Sequence, residues 1–142
     1  MDIIIREYKH TDYSALIALL NKVYDSEIDK KVLENKYITN DRSILIASTN
    51  ENVLVGCAFI EVQHDYIRPS RVIYVTYVAV DEAYREHGIG RKLFKSIEEL
   101  CREKECSAIE LTSANFRTGA HSFYEAIGFN KKKTTVFIRE ID

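Results

Sequence analysis

The 142-residue chain carries no excess of either charge: 20 Lys and Arg stand against 22 Asp and Glu, for a formal charge of −2 and a pI near 6.1. Without a basic surplus there is little to release counterions from a phosphate backbone, which argues against nucleic acid as the main partner. The same balance is mildly permissive of a cationic partner. Cysteine is scarce: Cys57, Cys101 and Cys106 are odd in number and show no CxxC spacing. That argues against a disulfide framework or a zinc site, so no metal is expected and a reducing cytosol is the expected setting. No apolar run approaches the ~20 residues that cross a bilayer. The start, MDIIIREYKH, holds too short an apolar stretch for a signal peptide. Internal repeats, linkers and low-complexity segments are absent, and the one proline sits in the loop HDYIRPS. A cytoplasmic protein with no membrane partner is expected.

What the chain does have is 46% apolar and 30% charged residues, the balance of an ordinary globular domain. A single domain over residues 1–142, with its own buried core, is expected. Ile3 to Tyr8 reads as a strand, and Thr11 as the N-cap of a helix with Tyr13, Leu16, Ile17, Leu20 and Val23 at helical spacing. The acidic YDSEIDK leads to a second helical stretch around Asp29 to Tyr37. Ser43 to Ser48 and Val53 to Gln63 read as a hairpin, and Arg71 to Val80 as a long strand. Its core, Ile73 to Val80, is apolar on both parities, as in a central strand covered on both faces. A regular stripe (Ile89, Leu93, Ile97, Leu100, Cys101) marks a helix whose other face is charged. A short strand from Ala108 to Leu111, a helix from about Thr118 to Ile127 closed by Gly128, and a strand from Thr134 to Ile141 complete the chain. The fold class is α/β in the broad sense (α+β), a mixed and mostly antiparallel sheet with helices on both faces.

Between the long strand and the striped helix lies Arg85-Glu86-His87-Gly88-Ile89-Gly90. A Rossmann fingerprint requires a small residue at 93, where Leu93 stands; a Walker A loop requires Gly at 85 and Lys-Ser/Thr after Gly90, where Arg85 and Arg91-Lys92 stand. Both patterns fail. What remains is a Gly-x-Gly turn opening a helix, where outward N–H groups and the helix dipole favour an anion, with Arg91, Lys92 and Lys95 close by. A pyrophosphate fits this arrangement, and so does a tight turn with a solvated basic face.

The hexapeptide resembles the R/Q-x-x-G-x-G/A element of the GNAT superfamily of acyl-CoA-dependent N-acetyltransferases. The preceding Val78-Ala79-Val80-Asp81 and the downstream TSANFRTGAHSFYEAIGF, with Asn115 and a closing Gly-Phe, are similar to that family in the same order. The resemblance is clear from about Val53 to Phe129. It implies a GNAT-like fold and acetyl-CoA as co-substrate. It also implies that the backbone of Val78, Ala79 and Val80 pairs with the pantetheine arm like an added strand. Glu86, His87, Gly88, Ile89, Gly90 and Arg91 would present amides to the pyrophosphate, with Arg85 as the R/Q position of the cofactor-binding element, and Asn115 would bind the cofactor arm. Tyr124 falls where the family carries the acid that protonates the departing thiolate; a phenol, protonated at neutral pH, can do so. Ala120, Phe123, Tyr124 and Ile127 also form an apolar stripe, so a core tyrosine is the competing reading.

The general base is less determined. Many relatives place Glu near the position of Thr76, which cannot serve, and the candidates are Glu110, Asp65, His64 or a water chain. His87 and His121 read as surface histidines and the cysteines as structural. The implied reaction moves an acetyl group from acetyl-CoA to a primary amine, on a small molecule or a peptide, by direct attack in a ternary complex. The acceptor would enter between the Tyr24 to Tyr37 region and HDYIRPS, where Asp25, Glu27, Asp29 and Asp65 could attract a cation. A homodimer is allowed for. The alternative is a non-catalytic acyl-CoA-binding regulatory module.

Overall fold

The computed structural model describes residues 2–142. By internal contacts the chain divides into a unit ending at Thr112 and a unit from Ser113 to Asp142. In the first unit, β1 (Ile3–Glu7), β2 (Arg42–Thr49), β3 (Leu54–Asp65), β4 (Ser70–Val80) and β5 (Ala108–Leu111) form one sheet in the order β1-β2-β3-β4-β5. The first three pairings are antiparallel and β4–β5 is parallel. The mixed, mostly antiparallel sheet expected from the sequence is therefore present.

Alternation along the strands sends side chains to two faces. On one face Ile44, Ile46, Cys57, Phe59 and Ala79 pack with Leu16, Leu19 and Leu20 of α1 (Tyr13–Val23) and with Leu33. Each such leucine contributes about 1.5–3 kcal/mol by leaving water. After α1, Asp29 caps the short α2 (Lys30–Val32) by accepting from the Val32 N–H, and a π-type turn over Leu33–Tyr37 follows. Residues of opposite parity, such as Leu45, Ala47, Ala58 and Ile60, turn to the other face. There α3 (Ile89–Glu103) buries Ile89, Leu93, Phe94, Ile97 and Cys101, the stripe read from the sequence with Phe94 added and Leu100 only half-buried.

Two local expectations change in this unit. Thr11 does not cap α1: it lies exposed in a 3-10 turn over His10–Asp12. Asp12 organises this entrance instead, because its carboxylate binds Arg6 in two bonds of 2.7 and 2.9 Å and accepts the Lys9 N–H at 2.8 Å. The loop HDYIRPS is mostly a hairpin turn, since β3 runs to Asp65 and β4 begins at Ser70. Asp65 is consumed in shaping it, accepting the Ile67 and Arg68 N–H groups.

The second unit contains α4 (Thr118–Ala126), which ends as Gly128 requires. Gly128 adopts φ +105°, its N–H reaches the Glu125 carbonyl, and the Phe129 N–H reaches that of Tyr124. This pair of bonds satisfies carbonyls that the helix end leaves open. The expected strand from Thr134 to Ile141 does not form: these residues are irregular and exposed. A run rich in Val, Phe and Ile becomes a strand only against a partner ladder, and α4 is the one helix or strand this unit contains among the described residues.

Candidate functional site

The register of β3 and β4 sets the geometry at the end of β4. Phe59 pairs with Tyr77 and Ile60 with Val75, so Thr76 is an extra residue, a bulge that tightens the local twist. Its hydroxyl donates to the Phe59 carbonyl at 3.3 Å. Beyond the bulge, Gly56, Cys57 and Ala58 face Val80, Ala79 and Val78, and the Asp81 N–H donates to the Val55 carbonyl at 2.8 Å. Antiparallel alternation then turns the N–H and C=O of Ala79 toward β3 and those of Val78 and Val80 away from it. On that outward side β5 pairs only with Val72 through Val75. Beyond Val75 no strand among the described residues covers the edge, which leaves backbone groups of Val78 and Val80 for an added strand-like ligand. Ala79 cannot share in such pairing; its backbone is committed to β3 and its methyl to the core.

One outward group already has a partner, the Val78 carbonyl, which accepts the Tyr24 hydroxyl at 3.2 Å. Next to this edge, Asp81 caps the 3-10 turn Glu82–Tyr84 through the Ala83 N–H and meets Lys22 of α1 at 3.1 Å. The Ala83 N–H, followed by the Lys22 ammonium, holds the Asp81 carboxyl below the usual carboxylate range.

The hexapeptide follows at once. Glu86 and Gly88 adopt left-handed backbone, φ +68° and +73°, on either side of His87. The first helical hydrogen bond of α3 is Lys92 N–H to Gly88 C=O at 3.1 Å, and no cap bond precedes it. Among the described residues, the six amides from Glu86 to Arg91 therefore donate to no protein atom. They present N–H groups at the positive end of a helix dipole, beside the exposed Arg85, Arg91, Lys92 and Lys95. The Glu86 side chain is exposed to water. Ile89 anchors the cradle from beneath: its side chain is 2% exposed and lies against Gly56. A Cβ at Gly56 would stand 3.1 Å from Ile89 Cγ2 and 3.2 Å from the Ala79 carbonyl. Gly56 is a residue that the motif reading passed over, although an isolated glycine within an apolar strand is itself a sign of close backbone approach.

The remaining candidates lie elsewhere. Glu110 of β5 stands opposite Tyr74, whose hydroxyl meets Thr112 Oγ1 at 3.3 Å. His64 meets Asp41 at 3.3 Å and stacks on Tyr66, while Asp65 is held in its turn. Tyr124 and Asn115 belong to the second unit. Tyr124 is half-buried on α4, edge-on to Phe123 and Phe129 at 5.6 and 6.0 Å between centroids. Asn115 is exposed and does not cap α4, whose N-cap is Arg117. The His121 Nε2 lies 3.0 Å from the Ala114 carbonyl. Burial pushes the Cys57 thiol up to about 12.

Comparison with known proteins identifies the fold and the family. The chain is 22% identical over 93 residues to an aminoglycoside N(6')-acetyltransferase type 1 of Salmonella typhimurium, an alignment that spans 63% of this chain and 64% of that enzyme. Among solved structures, an aminoglycoside acetyltransferase from an uncultured soil metagenomic sample superposes with a TM-score of 0.86 at 22% identity, covering 99% of this chain and 97% of that one. The aminoglycoside N-acetyltransferase AAC(6')-Iy in complex with CoA gives 0.84 at 20% identity, covering 98% and 95%. At these identities the superpositions establish the fold. The model of the acetyltransferase (GNAT) family matches residues 6–129, and the chain belongs to that family.

Proposed function

We propose that the chain is an N-acetyltransferase that moves an acetyl group from acetyl-CoA to a primary amine by direct attack in a ternary complex. The observation that carries this reading is the run of unpartnered amides from Glu86 to Arg91 immediately after an unpaired strand edge. The edge suits the amide groups of a pantetheine arm, and the amides suit its pyrophosphate. Relatives named as aminoglycoside acetyltransferases, one of them solved with CoA, support the same donor and an amine acceptor. In this reading the outward Val78 N–H polarises the thioester carbonyl, as an oxyanion donor would, and holding both reactants supplies proximity. Tyr124 gives its proton to the departing thiolate, and Asn115 binds the cofactor arm. The acceptor is a cation that approaches past Tyr24 and the exposed Asp25 and Glu27; Asp29 and Asp65 already hold backbone amides of their own turns.

A second reading, a binding module without turnover, is favoured by one observation: the bulge residue is Thr76, with its hydroxyl spent on the Phe59 carbonyl. Two measurements separate the readings. Acetyl-CoA at about 100 times its Kd should stabilise the protein by ~2.7 kcal/mol in a thermal melt, and no shift at millimolar cofactor excludes both. Release of free thiol in the presence of kanamycin, spermidine or a lysine-containing peptide supports the transferase; binding with no release across such a panel supports the module.

A further inference from the structure

On the α1 face of the sheet a row of cross-strand neighbours runs Arg42, Glu61, Tyr74, Glu110, fixed by the registers Arg42↔Glu61, Glu61↔Tyr74 and Tyr74↔Glu110. Parity places the row on the face that carries Ile44, Cys57 and Phe59. Three members of the row have evident engagements. Arg42 donates to the Lys36 carbonyl at 3.0 Å and lies over the Tyr37 ring at 5.4 Å. Tyr74 bonds to Thr112, and Glu110 is engaged as well. Glu61 is different: it is half-buried, yet its carboxylate has no hydrogen bond or ion pair among the described residues.

The bulge brings the reacting end of β4 beside it. Thr76 and Tyr77 both oppose Phe59, so both turn to this face, and both are exposed there. Glu61 is the next residue of β3 on the same face after Phe59. Diagonal neighbours on one sheet face lie about 7–8 Å apart, a span that a glutamate side chain and one amine group bridge. Tyr37 packs against Phe59, the neighbouring residue on this face, with ring centroids 5.6 Å apart. Its hydroxyl is shut off from water with no hydrogen bond of good geometry. Burial raises that phenol above its usual value, the Thr76 hydroxyl beside it acts in the opposite sense, and the Glu61 charge adds to the rise.

We infer that Glu61, reaching across from β3, is the carboxylate that takes the proton of the acceptor amine at the bulge, where position 76 offers only a threonine. This assignment rests on the transferase reading and replaces Glu110 as the base. An ammonium yields one proton to Glu61, which passes it to solvent. The freed nitrogen pair forms the new C–N bond to the acetyl carbon while the C–S bond breaks. The nitrogen's second proton and the thiolate's gain of one then balance, leaving amide, free thiol and one proton released overall.

The test compares wild type, Glu61→Gln, Glu61→Ala and Glu110→Gln, with acetyl-CoA and whichever of kanamycin, spermidine or the lysine peptide turns over. Glu61→Gln should lower kcat/KM roughly 10²-fold at pH 7 with acetyl-CoA Kd and melting temperature unchanged. The deficit should shrink toward pH 10, as the amine loses its proton unaided. Added formate should restore part of the rate of Glu61→Ala, and Glu110→Gln should stay within about threefold of wild type. A deficit that is constant across pH and confined to KM overturns the assignment, and so does a Glu61→Gln variant as fast as wild type. If wild type itself releases no thiol with any amine, the transferase reading falls first and this assignment with it.

Discussion

The Tyr24 hydroxyl, just past the last turn of α1, donates to the carbonyl of Val78 on the open edge of β4 across 3.2 Å. Tyr24 also stacks edge-on with Tyr77 at 5.1 Å, so one side chain ties the end of α1 to the strand proposed to carry the cofactor. Tyr24→Phe keeps the ring contact and removes only the hydroxyl. The expected loss is about 1 kcal/mol of folding stability, read as a lower urea midpoint at unchanged slope. An unshifted midpoint would mean that water serves Val78 equally well.

The two glycines of the cleft should fail differently. Gly88→Ala meets no obstructing atom but must hold a side chain at φ +73°, which costs about 1–2 kcal/mol. The amides it helps aim should then bind acetyl-CoA at least about tenfold more weakly, since each 1.4 kcal/mol is a factor of ten. Gly56→Ala has ordinary backbone and too little room, and should cost about 1–3 kcal/mol of stability through overpacking. Denaturation and titration calorimetry on both variants distinguish backbone strain from crowding.

Tyr124→Phe tests the proposed acid. A loss of roughly 10²-fold or more in kcat, with acetyl-CoA binding nearly intact, is expected if the phenol protonates the thiolate. An unchanged rate returns Tyr124 to packing against Phe123 and Phe129.

Acid should weaken the fold through Asp12. The Arg6 guanidinium, bonded to it twice, and the Lys9 N–H hold this buried carboxyl below its usual range. A carboxyl lowered in the folded state adds stability above its unfolded pKa, and that stability is lost as pH falls through the folded value. The expected window therefore lies below about pH 4. Asp12→Asn should lose about 3 kcal/mol at pH 7, the low end for breaking a buried pair, and should show a flatter decline on acidification. Parallel slopes for the two proteins would assign the acid sensitivity elsewhere.

Thiol labelling should single out one cysteine. Cys57 is fully buried with its thiol pushed up to about 12, and burial raises Cys101 as well, whereas Cys106 is only half-buried. Because the thiolate is the reactive form, iodoacetamide at pH 8 should modify Cys106 first by mass spectrometry. Rapid alkylation of Cys57 would contradict the packing around it.

What the sequence made legible was local. β5 was read with its observed bounds, and Gly128 was read as a helix terminator because only a residue tolerant of φ +105° closes α4 in that way. The Gly-x-Gly turn likewise announced itself. Features that depend on pairing did not. The bulge at Thr76 arises from a register mismatch with β3 that no single strand displays. Glu61 looks like an ordinary polar alternation until its neighbours Tyr74 and Arg42 are known. The failed strand after Lys133 is the converse case, since strand composition is visible locally and the presence of a partner is not. At Thr11 a good cap residue lost to Asp12, because Arg6 arrives from β1 to hold that carboxylate.

The contact between Gly56 and Ile89 restricts which sequences can share this cleft. Where 89 gives up its Cγ2 branch, one of the two close approaches of a methyl at 56 is relieved, while that to the Ala79 carbonyl stays, so the two positions are coupled in volume. Gly56→Ala combined with Ile89→Leu should then recover part of what the first change loses. A signature confined to residues 85–90 omits half of that coupling, because the floor of the cradle is written in a different strand.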